Sequence, residues 1–495
     1  MHRHVFISTL LACVIFTTHL VFLGGALLAE DSDRPNVLFI AIDDLRPELG
    51  CYGHPLIQSP NIDRLASESI LFERAYCQQA VCGPTRASLM TGLRPDSTTI
   101  YDLDHPVRKT IPDVLSMPQH FRENGYETRS FGKIYHHSSD DNGIGWSQDA
   151  WRASEGEWEG RGYLNEDSIA AIRPPSETGG RTGVGPAFEA ADVSDDAYPD
   201  GQVAVHAIAE MQRLSEQDAP FFLAVGFVKP HLPFNAPQRY WDLYDRSEIA
   251  IPEQDQWPDD APSFAGTSWG ELRGYAGMPR SGAASEELAI DLIHGYYACV
   301  SYTDALVGQV LAELERLELN EETIVILWGD HGWKLGDYGA WCKHTNFEID
   351  THVPMILRVP GRTDEGLRTP ALVEFVDIFP TLSDLCGIGV PDACEGASIT
   401  PLIDDPAREW KAAAFSQYPR SGKMGYTIRS GQWRYTEWIN RNTGEITDRE
   451  LYDHSDGPVV DRNLIGDAQH ASTVERLSEL IDGGQGWKAI REALQ

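Results

Sequence analysis

The stretch Asn36–Asp44 reads NVLFIAIDD, an apolar run that stops at two adjacent aspartates. An unbroken apolar run of this length is typical of a β-strand covered on both faces. Phe221–Phe227 and Thr323–Trp328 have the same character, and Thr128–Phe131 is a weaker fourth run. The stretch therefore predicts an interior strand of a buried sheet.

Helical patterns lie between these strands. Apolar residues recur at helical spacing over 202–217 and again over 286–317. Strands that alternate with helices predict an α/β fold with a mostly parallel sheet flanked by helices. In such sheets, ligands bind outside the carboxyl ends of the strands.

Each of the four predicted strands is followed by charged or imidazole-bearing residues. In chain order these are Asp43 and Asp44, then Lys133 and His136, then Lys229 and His231, then Asp330 and His331. Because the carboxyl ends of parallel strands meet at one edge of a sheet, we expect these side chains to lie together in one active site.

The acidic residues at these strand ends indicate a metal. Asp43 and Asp44 cannot both be ionised cheaply at the end of a buried strand without a cation. For this pair alone, helix capping or a loop salt bridge is an alternative. The arrival of Asp330 and His331 after a second strand favours an oxygen-rich site of the kind that suits Ca²⁺ or Mg²⁺.

A second motif, VCGPTRASLMTG, occupies residues 81–92. Pro84 just inside the helix start and Gly92 just past its end frame one short helix with Cys82 at its N-terminus. Free N–H groups and the helix dipole favour an anion there, so we expect an acidic, nucleophilic thiol. The alternative is a buried structural cysteine.

The spacing of Cys82, Pro84 and Arg86, followed by Leu-Met-Thr-Gly, resembles the signature of the type I, formylglycine-dependent sulfatases. The resemblance implies that a sulfatase-maturing enzyme, such as a formylglycine-generating enzyme, oxidises Cys82 to formylglycine, whose hydrate is the nucleophile. It also implies one calcium ion, rather than magnesium, held by Asp43, Asp44, Asp330, His331 and residue 82.

The resemblance also implies roles for the cations and the histidines. Arg86, Lys133 and Lys343 would offset charge on the sulfuryl oxygens. His231, helped by Lys343, would protonate the leaving sugar oxygen, and His136 would take the proton whose loss expels sulfate. Taken alone, each histidine would be interpreted as structural and each lysine as a solvated surface residue. His137 lies beside His136, so the choice of His136 rests on spacing alone.

The resemblance extends from about residue 34 to about residue 465. Trp341–Lys343, Ser416–Arg420 and His331, where the wider family often has Asn, are similar to the iduronate-2-sulfatase-like members. This implies an alkaline-phosphatase-like fold and a sulfated saccharide as substrate, either an iduronate-2-sulfate-like sugar or another polysaccharide unit. The alternatives are a formylglycine-dependent phosphodiesterase or phosphonate hydrolase, and a noncatalytic protein that binds sulfated glycans.

The pattern changes after about residue 405. Short strands are predicted at 425–429, 433–438 and 450–453, the first two joined by a Ser-Gly hairpin, and an amphipathic helix at 473–481. We therefore predict a catalytic domain over 30–405 and a smaller α+β subdomain over 406–495.

Two irregular segments rich in glycine, proline and acids interrupt the predicted catalytic domain, at 138–200 and 250–285. Long irregular stretches inside a compact domain are usually functional rims or lids. We interpret them as walls of the substrate cleft, with plain surface insertion as the alternative.

The 495 residues carry a formal net charge of −35 at pH 7, which argues against a nucleic-acid partner. Residues 1–29 have a basic start, an apolar middle and small residues at the end, and so predict a signal peptide and a secreted or periplasmic protein with no integral membrane role. An uncleaved anchor is the alternative. The eight cysteines do not form a disulfide scaffold, although Cys386 and Cys394 are close enough in sequence to pair.

Overall fold

The computed structural model describes residues 34–154 and 156–494, so the predicted signal peptide lies outside the described residues. The strands are β1 (Asn36–Ile42), β2 (Ile70–Tyr76), β3 (Glu127–Gly132), β4 (Phe188–Ala191), β5 (Phe221–Phe227), β6 (Phe234–Pro237), β7 (Thr323–Gly329), β8 (Lys334–Leu335), β9 (Trp341–Cys342), β10 (His352–Arg358), β11 (Leu367–Glu374), β12 (Ala414–Arg420), β13 (Lys423–Ser430), β14 (Trp433–Asn440) and β15 (Ile446–Asp453).

The longer helices are α1 (Pro60–Ser67), α2 (Cys82–Thr91), α5 (Met117–Glu123), α7 (Pro199–Leu214), α10 (Glu286–Arg316), α12 (Ile378–Leu385), α14 (Ala471–Ile481) and α15 (Trp487–Leu494). Short helical turns of four or five residues are α3 (Pro95–Thr98), α4 (Val107–Thr110), α6 (Glu166–Ala170), α8 (Gln238–Trp241), α9 (Gly270–Arg273), α11 (Glu348–Thr351) and α13 (Thr400–Asp404).

The main sheet has the strand order β11-β2-β10-β7-β1-β5-β3. Neighbours run parallel except β10, which is antiparallel to both β7 and β2. The predicted mostly parallel sheet is therefore confirmed. The four strands found by their apolar runs are consecutive in it, so the carboxyl ends of β7, β1, β5 and β3 lie side by side.

Strand β1 forms the centre of the core because its side chains alternate between two apolar layers. Leu38 and Ile40 pack in a cluster with residues of α7 and α10. Val37 and Phe39 pack in a second cluster with residues of α2, α5 and α12. Full burial of each such side chain contributes about 1.5–3 kcal/mol, which is why a strand apolar on both faces takes the central position.

The predicted helices occur with small shifts. The pattern over 202–217 corresponds to α7, which begins three residues earlier because Pro199 occupies the first turn, where proline is well tolerated. The pattern over 286–317 corresponds to α10, capped by the Ser285 side chain, which accepts a hydrogen bond from the Leu288 N–H.

A separate antiparallel sheet, in the order β12-β13-β14-β15, follows near the C-terminus. The hairpin predicted at Ser430 and Gly431 joins β13 to β14, and Ser430 pairs with Trp433. Strand β12 was not predicted, because AFSQYPR lacks both β-branched residues and clean alternation. The predicted helix is observed as α14, which packs with the sheet through Leu477 and Ile481.

The cysteines of the described residues are all free thiols, so Cys386 and Cys394 are not bridged. Cys394 lies against Gly92, and the Cys386 thiol instead meets Tyr126. Among the described helices, none has the length and apolar character needed to cross a membrane.

Candidate active site

Strands β1 and β7 deliver three carboxylates to one buried point. Asp43, Asp44, Asp330 and His331 have no exposed surface. Backbone hydrogen bonds extend the ladder past the strand ends, from Asp43 N–H to the Phe227 carbonyl (3.1 Å) and from Asp330 N–H to the Ile42 carbonyl (3.1 Å). The Asp44 N–H then donates to Asp330 Oδ1 at 3.0 Å, which fixes the two strand ends against each other.

Asp44 has a φ of 61°, in the left-handed region that aspartate tolerates better than most residues. This turn comes directly after the strand and keeps both adjacent carboxylates inside the site. Asp44 lies 3.4 Å from His331 Nδ1, and His331 Nε2 lies 3.6 Å from Asp330. The predicted convergence of these acidic and imidazole groups is what the structure describes.

Cys82 is the first residue of α2, and Gly92 follows the helix with a φ of 68°, as the motif predicted. The Cys82 Sγ lies 3.3 Å from His331 Nε2. Burial raises the pKa of the Cys82 thiol to about 12, and the carboxylate of Asp43 adds to the effect. The expectation of an acidic thiol is therefore wrong: desolvation and nearby carboxylates outweigh the helix N-terminus.

Arg86, one turn further along α2, is fully buried and joins two strand ends. Its Nε donates to Asp330 Oδ2 (2.9 Å) and its Nη2 to Asp43 Oδ1 (3.2 Å). Lys133, after β3, also binds the Asp43 carboxylate. Burial opposes ionisation of Asp43, but Lys133, His231 and Arg86 together hold its pKa well below the ordinary value.

Lys343, which follows β9, is the cation of the second aspartate. Its Nζ lies 2.9 and 3.1 Å from the two Asp44 oxygens and 3.1 Å from Glu271. Burial nevertheless raises the pKa of Asp44 well above its ordinary value, and the neighbouring Asp43 adds to the rise. The site therefore holds more buried negative charge around Asp44 than its lysine offsets.

His231 follows β5 and lies between two oxygen acceptors. Its Nδ1 is 2.6 Å from the Leu232 carbonyl, which can only accept, so Nδ1 carries a hydrogen. Its Nε2 is 3.0 Å from Glu271 and 3.9 Å from Asp44, and is the nitrogen that can exchange a proton. Burial lowers the pKa of His231 to about 4, and Lys343 adds to this lowering.

Glu271 is a member of the site that the sequence did not reveal. It lies on the four-residue helix α9 inside the irregular segment 250–285 and contacts His231, Lys343 and His344. Nothing in its neighbourhood has strand or helix periodicity, and it is one of 75 acidic residues. Only its proximity to two residues of the predicted site identifies it.

The rings of His136 and His137 are only 4.7 Å apart, but the two side chains face different pockets. His136 lines the same cavity as Cys82, and its buried Nδ1 has no hydrogen-bond partner among the described residues. Burial lowers its pKa to about 2, with Lys133 adding to the effect. His137 faces a different, smaller pocket.

Above the acids lies a cavity of about 680 Å³, in the range of small-molecule sites. Its lining includes Cys82, Lys133, His136, His231 and Lys343, and it continues onto both irregular segments. Those segments therefore form cleft walls, as interpreted from their composition. Asp43, Arg86 and Asp330 lie beneath it.

The chain shares its fold with two solved proteins. It superposes with a TM-score of 0.74 on a protein solved with its substrate D-glucosamine-2-N,6-O-disulfate, at 22% identity, covering 92% of this chain and 98% of that one. It superposes with a TM-score of 0.73 on a phosphonate monoester hydrolase of Agrobacterium radiobacter, at 23% identity, covering 92% and 96%.

Sequence comparison identifies the family of the chain. The Sulfatase family matches residues 35–388, and the C-terminal family of N-sulphoglucosamine sulphohydrolase matches residues 336–485. Iduronate 2-sulfatase of Mus musculus is 34% identical over 90% of this chain and 93% of its own length, and that of Homo sapiens is 34% identical over 92% and 96%.

The chain thus belongs to the sulfatase family. The resemblance seen at Cys82, Pro84 and Arg86 is confirmed, as is its leaning toward iduronate-2-sulfatase. The predicted enzyme class, a sulfuric ester hydrolase, is confirmed with it.

Proposed function

We propose that this enzyme releases sulfate from a sulfated uronate or a related glycosaminoglycan sugar. The observation that supports this most is the cavity itself. Lys133, Lys343, His136 and His231 surround residue 82, directly above a buried cluster of carboxylates. Such cation clamps suit the negative charge on the oxygens of a transferring sulfuryl group.

We propose that Asp43, Asp44, Asp330, His331 and residue 82 hold one Ca²⁺ ion. The donor set fits: ligand atoms of Asp43, Cys82, Asp330 and His331 lie within 4.8 Å of one another, and two of the four are carboxylate oxygens, which hard cations prefer. The raised pKa of Asp44 supports the same reading, because a divalent cation would supply the missing positive charge. When bound, the ion acts as a Lewis acid on the oxygens it touches.

We propose that a sulfatase-maturing enzyme converts Cys82 to formylglycine, whose hydrate supplies a nucleophilic oxygen. Around it, Arg86 and Lys133 are fixed by Asp43, so they offer charge without rearranging. His231 Nε2 delivers a proton to the leaving sugar oxygen. Burial disfavours the imidazolium that this step needs, and Glu271, 3.0 Å from Nε2, raises the pKa of His231 and so favours it. The unpartnered Nδ1 of His136 is free to accept a proton.

Two measurements test the proposal. Mass spectrometry of the tryptic peptide that contains residue 82 should find the aldehyde, and a thiol alone would overturn that step. Purified enzyme should release sulfate from sulfated uronates, and Cys82→Ala should not. Faster turnover of an aryl phosphodiester or a phosphonate ester than of any sulfate would favour the phosphodiesterase alternative. Binding of sulfated glycans without turnover would favour the noncatalytic alternative.

We also propose that the protein is exported and that its signal peptide ends near residue 29. The mass of the mature protein purified from the periplasm or the medium tests this, since a cleaved chain begins near residue 30. An intact N-terminus in the membrane fraction would support the anchor alternative.

A further inference from the structure

Two arginines line the cavity without a carboxylate partner. Arg161 and Arg181 both come from the irregular segment 138–200. Among the described residues, neither has a carboxylate oxygen within 4.0 Å of its guanidinium nitrogens. Their guanidinium groups donate instead to neutral oxygens, Arg161 to the Tyr275 hydroxyl and Arg181 to the backbone carbonyls of Thr178 and Glu271, so no described carboxylate offsets their charge.

The two guanidinium groups converge on one ring. Their central carbons lie 5.9 and 6.0 Å from the centre of the Tyr275 ring, and Arg161 Nη1 donates to the Tyr275 hydroxyl at 3.0 Å. Both charges therefore lie near the same uncharged ring. An anion in the cavity that reaches both guanidinium groups would gain two attractive contacts.

The backbone, rather than chance packing, holds this pair in place. The Arg161 N–H donates to the Gly183 carbonyl at 3.1 Å. Gly160 and Gly183 cross so closely that a Cβ on Gly183 would lie 2.7 Å from Gly160 Cα, and both have φ near +60°. No residue but glycine suits this crossing, which brings the stretch that carries Arg161 close to the stretch that carries Arg181.

The arginine pair is also connected to the catalytic end of the cavity. Arg181 Nη1 donates to the Glu271 backbone carbonyl at 3.1 Å. The side chain of the same Glu271 contacts His231 and Lys343. One residue therefore spans from the proton donor of the proposed reaction to the arginine pair.

We propose that Arg161 and Arg181 form a second anion subsite, which binds a carboxylate or a second sulfate of the same saccharide whose sulfate ester lies over residue 82. The inference rests on the proposed function, because it places both anions on one substrate. Guanidinium forks bind carboxylates and sulfates through paired charge-assisted hydrogen bonds, so either anion satisfies the chemistry.

The test compares three sulfate esters: a sulfated uronate, a disulfated hexosamine and a monosulfated neutral hexose. In Arg161→Ala and Arg181→Ala, kcat/KM should fall about 10- to 100-fold on the anionic esters, the loss expected for a charged hydrogen bond. It should change less than about twofold on the neutral ester. Whichever anionic ester loses rate identifies the anion as carboxylate or sulfate.

Arg280→Ala is the matched control, because Arg280 is exposed on segment 250–285 and does not line the cavity. Arg181→Lys should recover part of the rate, since it keeps the charge without the fork. Equal losses on the neutral and anionic esters would show a structural role and overturn the subsite. Unchanged rates on all three would overturn it too.

Failure of the proposed function has a separate signature. If the wild-type enzyme releases sulfate from none of the three esters, the proposed function fails, and calorimetric titration of the same esters then decides the subsite. Weaker binding of only the anionic esters by Arg161→Ala and Arg181→Ala would support it. Identical binding by the variants and the wild-type protein would overturn it.

Discussion

Residue 82 is a weak nucleophile as long as it remains a thiol. Burial raises the pKa of the Cys82 thiol to about 12, so very little of it is thiolate at neutral pH. The carboxylate of Asp43, which suits a cation, contributes to this high pKa. A site arranged in this way disfavours thiolate chemistry, which supports the proposal that residue 82 acts through an oxygen.

Arg86 should be required for stability as well as for activity. Arg86→Ala leaves Asp43 and Asp330 without their shared guanidinium, and loss of one partner of a buried ion pair costs about 3–5 kcal/mol. Thermal unfolding should follow the order wild type, Arg86→Lys, Arg86→Ala, with Arg280→Ala unchanged. Added Ca²⁺ should narrow the gap, and a wild-type melting temperature for Arg86→Ala would contradict this account.

His231 should matter most for poor leaving groups. If its Nε2 protonates the departing oxygen, His231→Ala loses most activity on alkyl sulfates and much less on aryl sulfates whose phenols are acidic. The measurement is kcat/KM across a series of sulfate esters of rising leaving-group pKa. The decline of kcat/KM with leaving-group pKa should be steeper for the variant than for the wild type. Parallel lines for the two would contradict the role of His231 as proton donor.

Removing divalent ions should destabilise the protein if Asp43, Asp44 and Asp330 hold one. Treatment with a chelator should reduce the melting temperature and the sulfatase activity together, and Ca²⁺ should restore both. In Asp44→Asn the chelator should have a smaller effect on melting, because one of the charges that the ion neutralises is gone. Full activity in chelated protein would contradict the metal's role.

Most of the residues that the sequence predicted follow strands or lie in the first two turns of a helix, and Lys343 was assigned through the family resemblance alone. Asp43, Asp330 and Cys82 could be assigned because periodicity placed their elements and the carboxyl edge placed their ends. Glu271 and Arg161 lie in irregular segments, where no periodic pattern relates a residue to the sheet. Their roles depend on how those segments fold back over the cavity, which is a tertiary property.

At the scale of elements, one buried glutamate joins the C-terminal sheet to the main sheet. Glu348, on α11, accepts hydrogen bonds from Arg434 Nη2 of β14 at 2.6 Å, from Arg429 Nε of β13 at 3.1 Å and from the Tyr76 hydroxyl of β2 at 2.7 Å. The boundary near residue 405 stays a prediction, and this contact shows how closely the parts on either side are coupled.

Glu348→Gln should destabilise the whole molecule. The amide keeps the shape but leaves Arg429 and Arg434 as buried cations without a charged partner, which costs about 3–5 kcal/mol. Because the network spans both sheets, far-ultraviolet and tryptophan signals should melt together at a lower temperature. The exposed pair Arg462–Asp260 gives the control, and Asp260→Asn should shift melting little. A Glu348→Gln variant as stable as the control would contradict the coupling.

Over the whole molecule, the net charge of −35 opposes the approach of an anionic sugar. Screening limits that field to about 8–10 Å at physiological salt, so the cavity cations act where the substrate already touches them. The sequence predicted the sheet, its flanking helices and the C-terminal hairpin, since each rests on local periodicity. It did not predict the antiparallel β10 between β7 and β2, because strand order depends on long-range pairing.

The molecule should lose stability as the pH falls below about 6.5, because buried imidazoles resist protonation. Burial lowers the pKa of His54 and of His454 to about 4, so the unfolded chain binds protons that the folded chain excludes. Stability then rises with pH over this window, and buried His454 alone accounts for about 2 kcal/mol at pH 5.

Melting temperature between pH 7.5 and 4.5 should decline less in His454→Gln than in the wild type. His105→Gln is the opposite control: Asp102 raises the pKa of exposed His105, so its loss should leave the decline unchanged or steeper. A wild-type curve that stays flat to pH 5 would show that buried neutral imidazoles do not set the acid limit of this fold.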